Sequence, residues 1–95
     1  MSAYLIADLT IQDSGAFAAY VKAVGPLIEK FGGRVIARTE AATALEGAPP
    51  NHFVVIQFAS MDAAKRFYQS DEYREPLRRR LDGMATGRVF LVDGV

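Results

Sequence analysis

One histidine stands alone among the side chains that could move a proton near neutral pH. His52 is the only histidine in the 95 residues, and imidazole is the side chain whose ordinary pKa lies closest to neutrality. We predict that His52 acts as a catalytic base or ligand-binding group at the start of a strand. The alternative is a histidine that only hydrogen-bonds the backbone near a turn, because no partner residue converges on it in the sequence.

Three tyrosines form a second group of candidates. Phenol hydroxyls can orient an aromatic or quinone-like ligand and stabilise an oxyanion. We predict that Tyr20, Tyr68 and Tyr73 converge between helices and sheet, with Tyr73 catalytic and the other two binding ligand. The alternative is that the rings pack in the core while each hydroxyl reaches the surface.

The charged candidates are three consecutive arginines and one glutamate. Arg78, Arg79 and Arg80 fan over most of a helix circumference, so at least one is expected to face a cavity mouth or a dimer partner and to bind a carboxylate or phosphate there. Glu46, before Gly47, could contact ligand as an acid or pair between subunits. The alternatives are solvated arginines paired with nearby acids, and a strand-end carboxylate beside a turn glycine.

Composition excludes several classes of protein. The chain is 51% hydrophobic and carries 11 Lys plus Arg against 11 Asp plus Glu, so its formal net charge is zero. A neutral chain lacks the basic surface of a general nucleic-acid binder. The absence of Cys excludes disulfides and thiolate zinc sites, and a single His argues against any tight transition-metal site. We therefore expect no metal and no nucleic-acid partner.

Signals for a membrane, a targeting segment or a bound nucleotide are also missing from the sequence. No apolar run approaches the ~18 residues that a membrane span needs, and the N-terminus does not read as a signal peptide. Neither a Gly-rich phosphate loop nor a nucleophile elbow occurs. The sequence predicts a cytoplasmic protein that contacts no membrane and needs no cofactor.

Four strands are predicted to position these residues. Residues 3–11 alternate between an apolar and a mixed face, while residues 52–58 are apolar almost throughout, as in a strand buried on both faces. Residues 34–47 are interpreted as one strand interrupted by a bulge, and residues 86–93 as the last strand.

The longest predicted helix follows the first strand. Apolar residues recur three and four positions apart over residues 16–31. Asp13 or Ser14 can cap its N-terminus, and Gly32 can end it in a left-handed conformation. Pro26 lies inside this helix and is expected to kink or strain it.

Two shorter helices are predicted before the last strand. Ser60 can cap the first of them, and residues 70–73 are expected to break it. Pro76 suits the first turn of the next helix, which would end near residues 81–83.

The predicted order β-α-β-β-α-(α)-β is typical of a ferredoxin-like α+β sandwich, whose two central strands are the first and third. Helices cover only one face of such a sheet. The other face would expose several apolar residues, so we predict that two copies pack face to face. Asp8 and Arg88, on neighbouring strands, are expected to form an ion pair. The alternative to face-to-face packing is that the C-terminus or the long hairpin covers this apolar face. The residues of the face are Tyr4, Ile6, Phe53, Val55 and, depending on register, Ile36 and Phe90.

Five short segments in order resemble the bacterial family called domain of unknown function 1330. They are residues 27–34, 45–47, 58–64, 70–73 and 91–94. The resemblance covers essentially the whole chain. It implies a dimeric α+β barrel, the fold shared with antibiotic-biosynthesis-type monooxygenases, stress-responsive barrel proteins and haem-degrading enzymes, and it implies no established activity.

Two positions depart from the family pattern. His52 stands where the family often has Arg, and three arginines occupy the region where the family carries one preferred basic residue. The resemblance therefore does not say which of Arg78, Arg79 and Arg80 corresponds.

Together these features predict a single dimeric α+β barrel domain over residues 1–95. Its apolar pocket would bind a small hydrophobic or aromatic molecule, and the domain could act as a cofactor-independent monooxygenase or isomerase. The alternative is a non-catalytic binding or stress-related assembly module whose interior is filled by side chains. An empty cavity of about 300 Å³ or more with converging polar groups would favour ligand binding, and a packed interior would favour the assembly module.

Overall fold

The computed structural model describes all 95 residues and contains one four-stranded antiparallel sheet. The strands are β1 (Ala3–Ile11), β2 (Arg34–Thr39), β3 (His52–Phe58) and β4 (Ala85–Asp93), and the spatial order is β2-β3-β1-β4. The predicted central positions of the first and third strands are therefore confirmed. The helices are α1 (Ser14–Lys30), α2 (Met61–Tyr68) and α3 (Asp71–Arg79). This is the predicted ferredoxin-like α+β sandwich.

Helix α1 begins and ends as its sequence predicts. The carboxylate of Asp13 accepts a hydrogen bond from the backbone N–H of Ala16 at 3.0 Å, which satisfies one donor of the first turn. The helix runs through Pro26 without interruption, and Gly32 follows it at φ 79°. Gly33 has no room for a side chain, because an added Cβ would lie 2.6 Å from the ring of Phe58.

The prediction that residues 34–47 form one strand is wrong. Strand β2 ends at Thr39, and residues 40–51 form a loop without strand structure. The facing strand β3 starts only at His52, so the residues after Thr39 have no strand to pair with. Pro49 and Pro50, just before β3, lack the N–H groups that strand pairing needs. The structure has a bulge at a different place, inside β2 between Val35 and Ala37.

The predicted start of the third helix is also wrong. Helix α3 begins at Asp71, and the hydroxyl of Ser70 caps it by accepting a hydrogen bond from the backbone N–H of Tyr73 at 3.2 Å. Ser70 followed by two acidic residues is a stronger start signal than Pro76, which the helix accommodates in its interior. A wide turn, Arg80–Met84, then leads into β4, with Gly83 at φ 101°.

The two faces of the sheet differ as the strand alternation predicts. Leu5, Ala7 and Leu9 of β1 are buried against the helices, whereas Ile6 points to the opposite, uncovered face. Phe90 of β4 pairs with Ile6 in register and remains 43% exposed.

The predicted ion pair on this face is confirmed. Arg88 lies opposite Asp8, with its Nη2 donating to Asp8 Oδ2 at 3.5 Å.

None of the helices has the length and apolarity needed to span a lipid bilayer.

Candidate functional site

A cavity of about 120 Å³ lies between the sheet and helix α1. Its walls are mostly apolar and include Leu5 and Leu9 of β1, Ile56 of β3 and Val24 of α1. Three basic side chains and two tyrosines also line it, and no acidic side chain does. The cavity therefore combines an apolar interior with a small set of polar groups, as ligand sites in proteins commonly do.

His52 lies in this cavity wall as the first residue of β3. Its side chain is on the helix side of the sheet and the residue is only 8% exposed. Neither ring nitrogen has a hydrogen-bond partner. Nδ1 is 3.4 Å from the Oε1 of Glu40, which comes from the exposed start of the loop. The imidazole and the ring of Phe17 pack in a T-shaped arrangement, with ring centroids 4.9 Å apart.

Two tyrosines bring their hydroxyls together at the cavity. Tyr20 comes from α1 and Tyr73 from the first turn of α3, and their hydroxyl oxygens are 2.5 Å apart. Tyr73 is buried and its ring packs on Phe67, with centroids 4.6 Å apart. Burial raises the pKa of the Tyr20 hydroxyl, and the adjacent Tyr73 raises it further. Tyr20 therefore stays a neutral phenol that can donate or accept.

Arg80 is the buried cation of the site. It follows Tyr73 by seven residues, close to two helical turns, and is 4% exposed. It forms no salt bridge within the chain. Burial acts to lower the pKa of Arg80, but the neighbouring hydroxyls of Tyr73 and Tyr20 favour the charged form and leave that pKa raised. The guanidinium is therefore charged.

A model of the family described as "Domain of unknown function (DUF1330)" matches residues 2–95. The chain belongs to the DUF1330 family. No curated protein matches this DUF1330 chain at a significant level.

Solved structures resemble this DUF1330 domain over its whole length. RPA0582 from Rhodopseudomonas palustris, a protein of unknown function, is 19% identical, with a TM-score of 0.79 over 99% of this chain and 82% of that chain. SnoaB, a cofactor-independent oxygenase from Streptomyces nogalater, is 16% identical, with a TM-score of 0.67 over 99% and 93%. A candidate antibiotic biosynthesis monooxygenase from Caulobacter crescentus is 20% identical, with a TM-score of 0.60 over 99% and 90%. At these identities the similarity establishes the fold, and the predicted kinship with antibiotic-biosynthesis-type monooxygenases is confirmed at that level.

Only some of the sequence-predicted residues meet in the DUF1330 cavity. His52, Tyr73, Tyr20 and Arg80 all line it. Tyr68 does not; its half-buried ring contacts that of Tyr73 from outside, with centroids 5.7 Å apart. The three tyrosines therefore cluster, but only two of them reach the cavity.

The remaining predicted ligand-binding residues lie at the surface. Arg78 and Arg79 are exposed and both bind Glu75, at 2.6 Å and 3.2 Å respectively. Hydrogen bonding to Arg78, with a smaller contribution from Arg79, lowers the pKa of Glu75 to about 2. Glu46 is exposed in the loop and does not line the cavity. The structure thus places the three consecutive arginines in two different environments.

Sequence reasoning missed Arg38 as a cavity residue. Its register partner is Val54, whose side chain is on the helix side of β3. The bulge after Val35 shifts the alternation of β2 by one residue, so that Val35 and Arg38 both face the cavity. The position of a bulge inside a short edge strand has no clear sequence signal, so Arg38 could not be assigned to this face.

The cavity does not offer a metal site. No group of three or more His, Asp or Glu side chains is arranged to hold a metal ion. Its polar groups are instead hydrogen-bond donors and one imidazole, which suit an organic ligand with electron-rich oxygen atoms.

Proposed function

We propose that this DUF1330 domain binds a small aromatic or similarly compact hydrophobic molecule in the cavity beneath α1. The observation that carries the proposal is that one mostly apolar cavity is lined both by a buried histidine whose two ring nitrogens lack hydrogen-bond partners and by a buried arginine without a counter-ion. Leaving a buried polar group unpaired costs about 1–3 kcal/mol, and more for a charge. A binding site offsets that cost when its ligand supplies the partners.

The size of the cavity limits the ligand. Its volume of about 120 Å³ is well below the ~300 Å³ at which typical ligand pockets begin. An engineered apolar cavity of ~150 Å³ nevertheless binds benzene. Of the two conditions set for ligand binding, the cavity volume is therefore not met, whereas the convergence of polar groups is. We accordingly restrict the ligand to about one ring.

The same groups can support proton transfer. The imidazole of His52 can accept a proton from an acidic C–H or O–H of the ligand, while Arg80 and the Tyr20–Tyr73 pair stabilise the resulting oxyanion. Returning the proton to a different atom completes an isomerisation. SnoaB, which has the same fold, is a cofactor-independent oxygenase. In an oxygenase reaction on a CH₂ group, O₂ would place one oxygen in a new C=O group and leave the other as water, with the substrate supplying the electrons.

We also propose that residues 1–95 form a homodimer through the uncovered sheet face. One row across this face pairs Ala37 with Val55, Val55 with Ile6, and Ile6 with Phe90. The row is apolar from edge to edge. The next row contains Asp8 and Arg88, which already pair within one subunit. A second copy related by a two-fold axis would cover the apolar row without leaving Asp8 or Arg88 buried and unpaired.

The cytoplasmic location predicted from the sequence stays a prediction.

Native mass spectrometry of the freshly purified protein tests both parts of the proposal. We expect a species at twice the 10.4 kDa chain mass, with an added small-molecule mass on part of the population.

The role of His52 is tested by His52→Ala. We expect the dimer and the fold to persist while binding of the co-purified molecule, or turnover of it, is lost. Exposed Glu46, which does not line the cavity, provides the control as Glu46→Ala. Equal binding by wild type and His52→Ala would show that the imidazole has no part in the site.

A further inference from the structure

The arginines of this chain divide into two groups by their partners. Five of the eight form salt bridges with acidic side chains, and a sixth, Arg34, donates to the amide oxygen of Gln57 at 3.2 Å. Only Arg38 and Arg80 have neither kind of partner. Both of them line the cavity. The two arginines without such partners thus both lie where a ligand would bind.

Arg80 is the more informative of the two because it is buried. A guanidinium removed from water needs an acceptor, and the best match to its planar fork is a carboxylate. No acidic side chain lines the cavity. Glu40 approaches the cavity residue His52, with its Oε1 3.4 Å from Nδ1, but Glu40 is itself exposed in the loop. The protein therefore does not supply the negative charge that Arg80 lacks.

One O–H donor of the tyrosine pair next to Arg80 is not used within the chain. Each phenol carries a single O–H, and one of the two is used in the bond between Tyr20 and Tyr73. The other O–H is left for a third acceptor, because neither hydroxyl donates to any other group of the chain. An anionic oxygen next to Arg80 would accept from both the guanidinium and this hydroxyl.

We propose that the cavity ligand is a small aromatic acid whose carboxylate binds Arg80 and the Tyr20–Tyr73 pair. This inference rests on the proposed binding function and narrows its ligand class. The ring would occupy the apolar part of the cavity, where Phe17 and Phe67 provide aromatic walls. Arg38 is exposed and adds a second positive charge at the cavity.

Titration calorimetry with benzoate and its neutral isostere benzamide tests the charge requirement. We expect benzoate to bind the wild-type protein at least tenfold more tightly than benzamide. Arg80→Gln should abolish this preference, whereas Arg78→Gln should retain it, because the adjacent Arg78 is exposed and bound to Glu75. Arg80→Lys keeps the charge but loses the planar fork, and should retain part of the preference. It also serves as the second variant if Arg80→Gln does not fold.

The outcomes separate this inference from the function on which it rests. Equal affinities for benzoate and benzamide would overturn the acid while leaving a ring-binding cavity intact. Binding of neither compound would overturn both. Inorganic phosphate competing as strongly as benzoate would show a general anion site and overturn the aromatic ligand. Equal loss of both compounds in Arg80→Gln would assign Arg80 a purely structural role.

Discussion

Replacing Ile6 with aspartate tests the proposed association of two sheets most directly. Ile6 lies at the centre of the uncovered face, with Val55 on one side and Phe90 on the other. Full burial of a large aliphatic side chain contributes about 1.5–3 kcal/mol. Because Ile6 is already partly buried in one subunit, covering the rest contributes about 0.5–1 kcal/mol by the same scale.

The introduced carboxylate adds a larger penalty. An unpaired buried polar group costs about 1–3 kcal/mol, and a charged one costs more. A two-fold interface contains the substitution twice. The combined effect is at least about 3 kcal/mol, which at 1.4 kcal/mol per tenfold change raises the dimer dissociation constant at least about a hundredfold.

Sedimentation equilibrium over nanomolar to micromolar concentrations measures this change. Leu81→Asp is the matched control, since Leu81 is 66% exposed in the turn after α3 and away from the sheet face. Circular dichroism verifies that both variants fold. A wild-type protein that sediments as a monomer at micromolar concentration would refute the reasoning, as would an Ile6→Asp protein that dimerises like the wild type.

Two further outcomes follow from single side chains. The pKa of Tyr20 is raised from 10.0 by burial, so the unfolded chain releases this proton at lower pH than the folded one. The stability contributed by the neutral phenol is complete below pH 10 and is lost as the pH rises further. Tyrosinate absorbance should show one of the four tyrosines ionising only with unfolding, and Tyr20→Phe should remove this step; four tyrosines titrating in the folded protein would contradict the assignment. Gly33→Ala should lower the free energy of unfolding by about 1–3 kcal/mol in urea denaturation, because the new methyl would overlap Phe58, whereas Gly25→Ala meets no atom within 4 Å and should not; equal stability of the two variants would contradict the steric argument.

The sheet was predictable because its central strands carry strong alternation. Leu5, Ala7 and Leu9 recur every second residue, and this spacing assigns the faces of β1 without knowledge of the partner strands. The ion pair between Asp8 and Arg88 followed from the same alternation. These inferences needed only local periodicity and the connection rules of the fold.

The site was less predictable because it depends on where elements begin. Measured from buried Tyr73, Arg80 lies seven residues on and returns to the same helix face. A helix that began at Pro76 would not include Tyr73. The seven-residue spacing from Tyr73 could then not be used to distinguish Arg80 from Arg78 and Arg79. Once the cap at Ser70 is recognised, helical spacing alone selects Arg80. Arg38, in contrast, depends on a bulge that only strand pairing reveals.

That bulge also bears on how the protein avoids uncontrolled self-assembly. Strand β2 lies at the border of the sheet, where its outer backbone groups have no neighbouring strand. A regular border strand is a template for foreign strands and can seed fibres. The irregularity between Val35 and Ala37 breaks the regular spacing of donors and acceptors there. The backbone distortion that turns Arg38 towards the cavity thus also disfavours pairing of this edge strand with strands of other molecules.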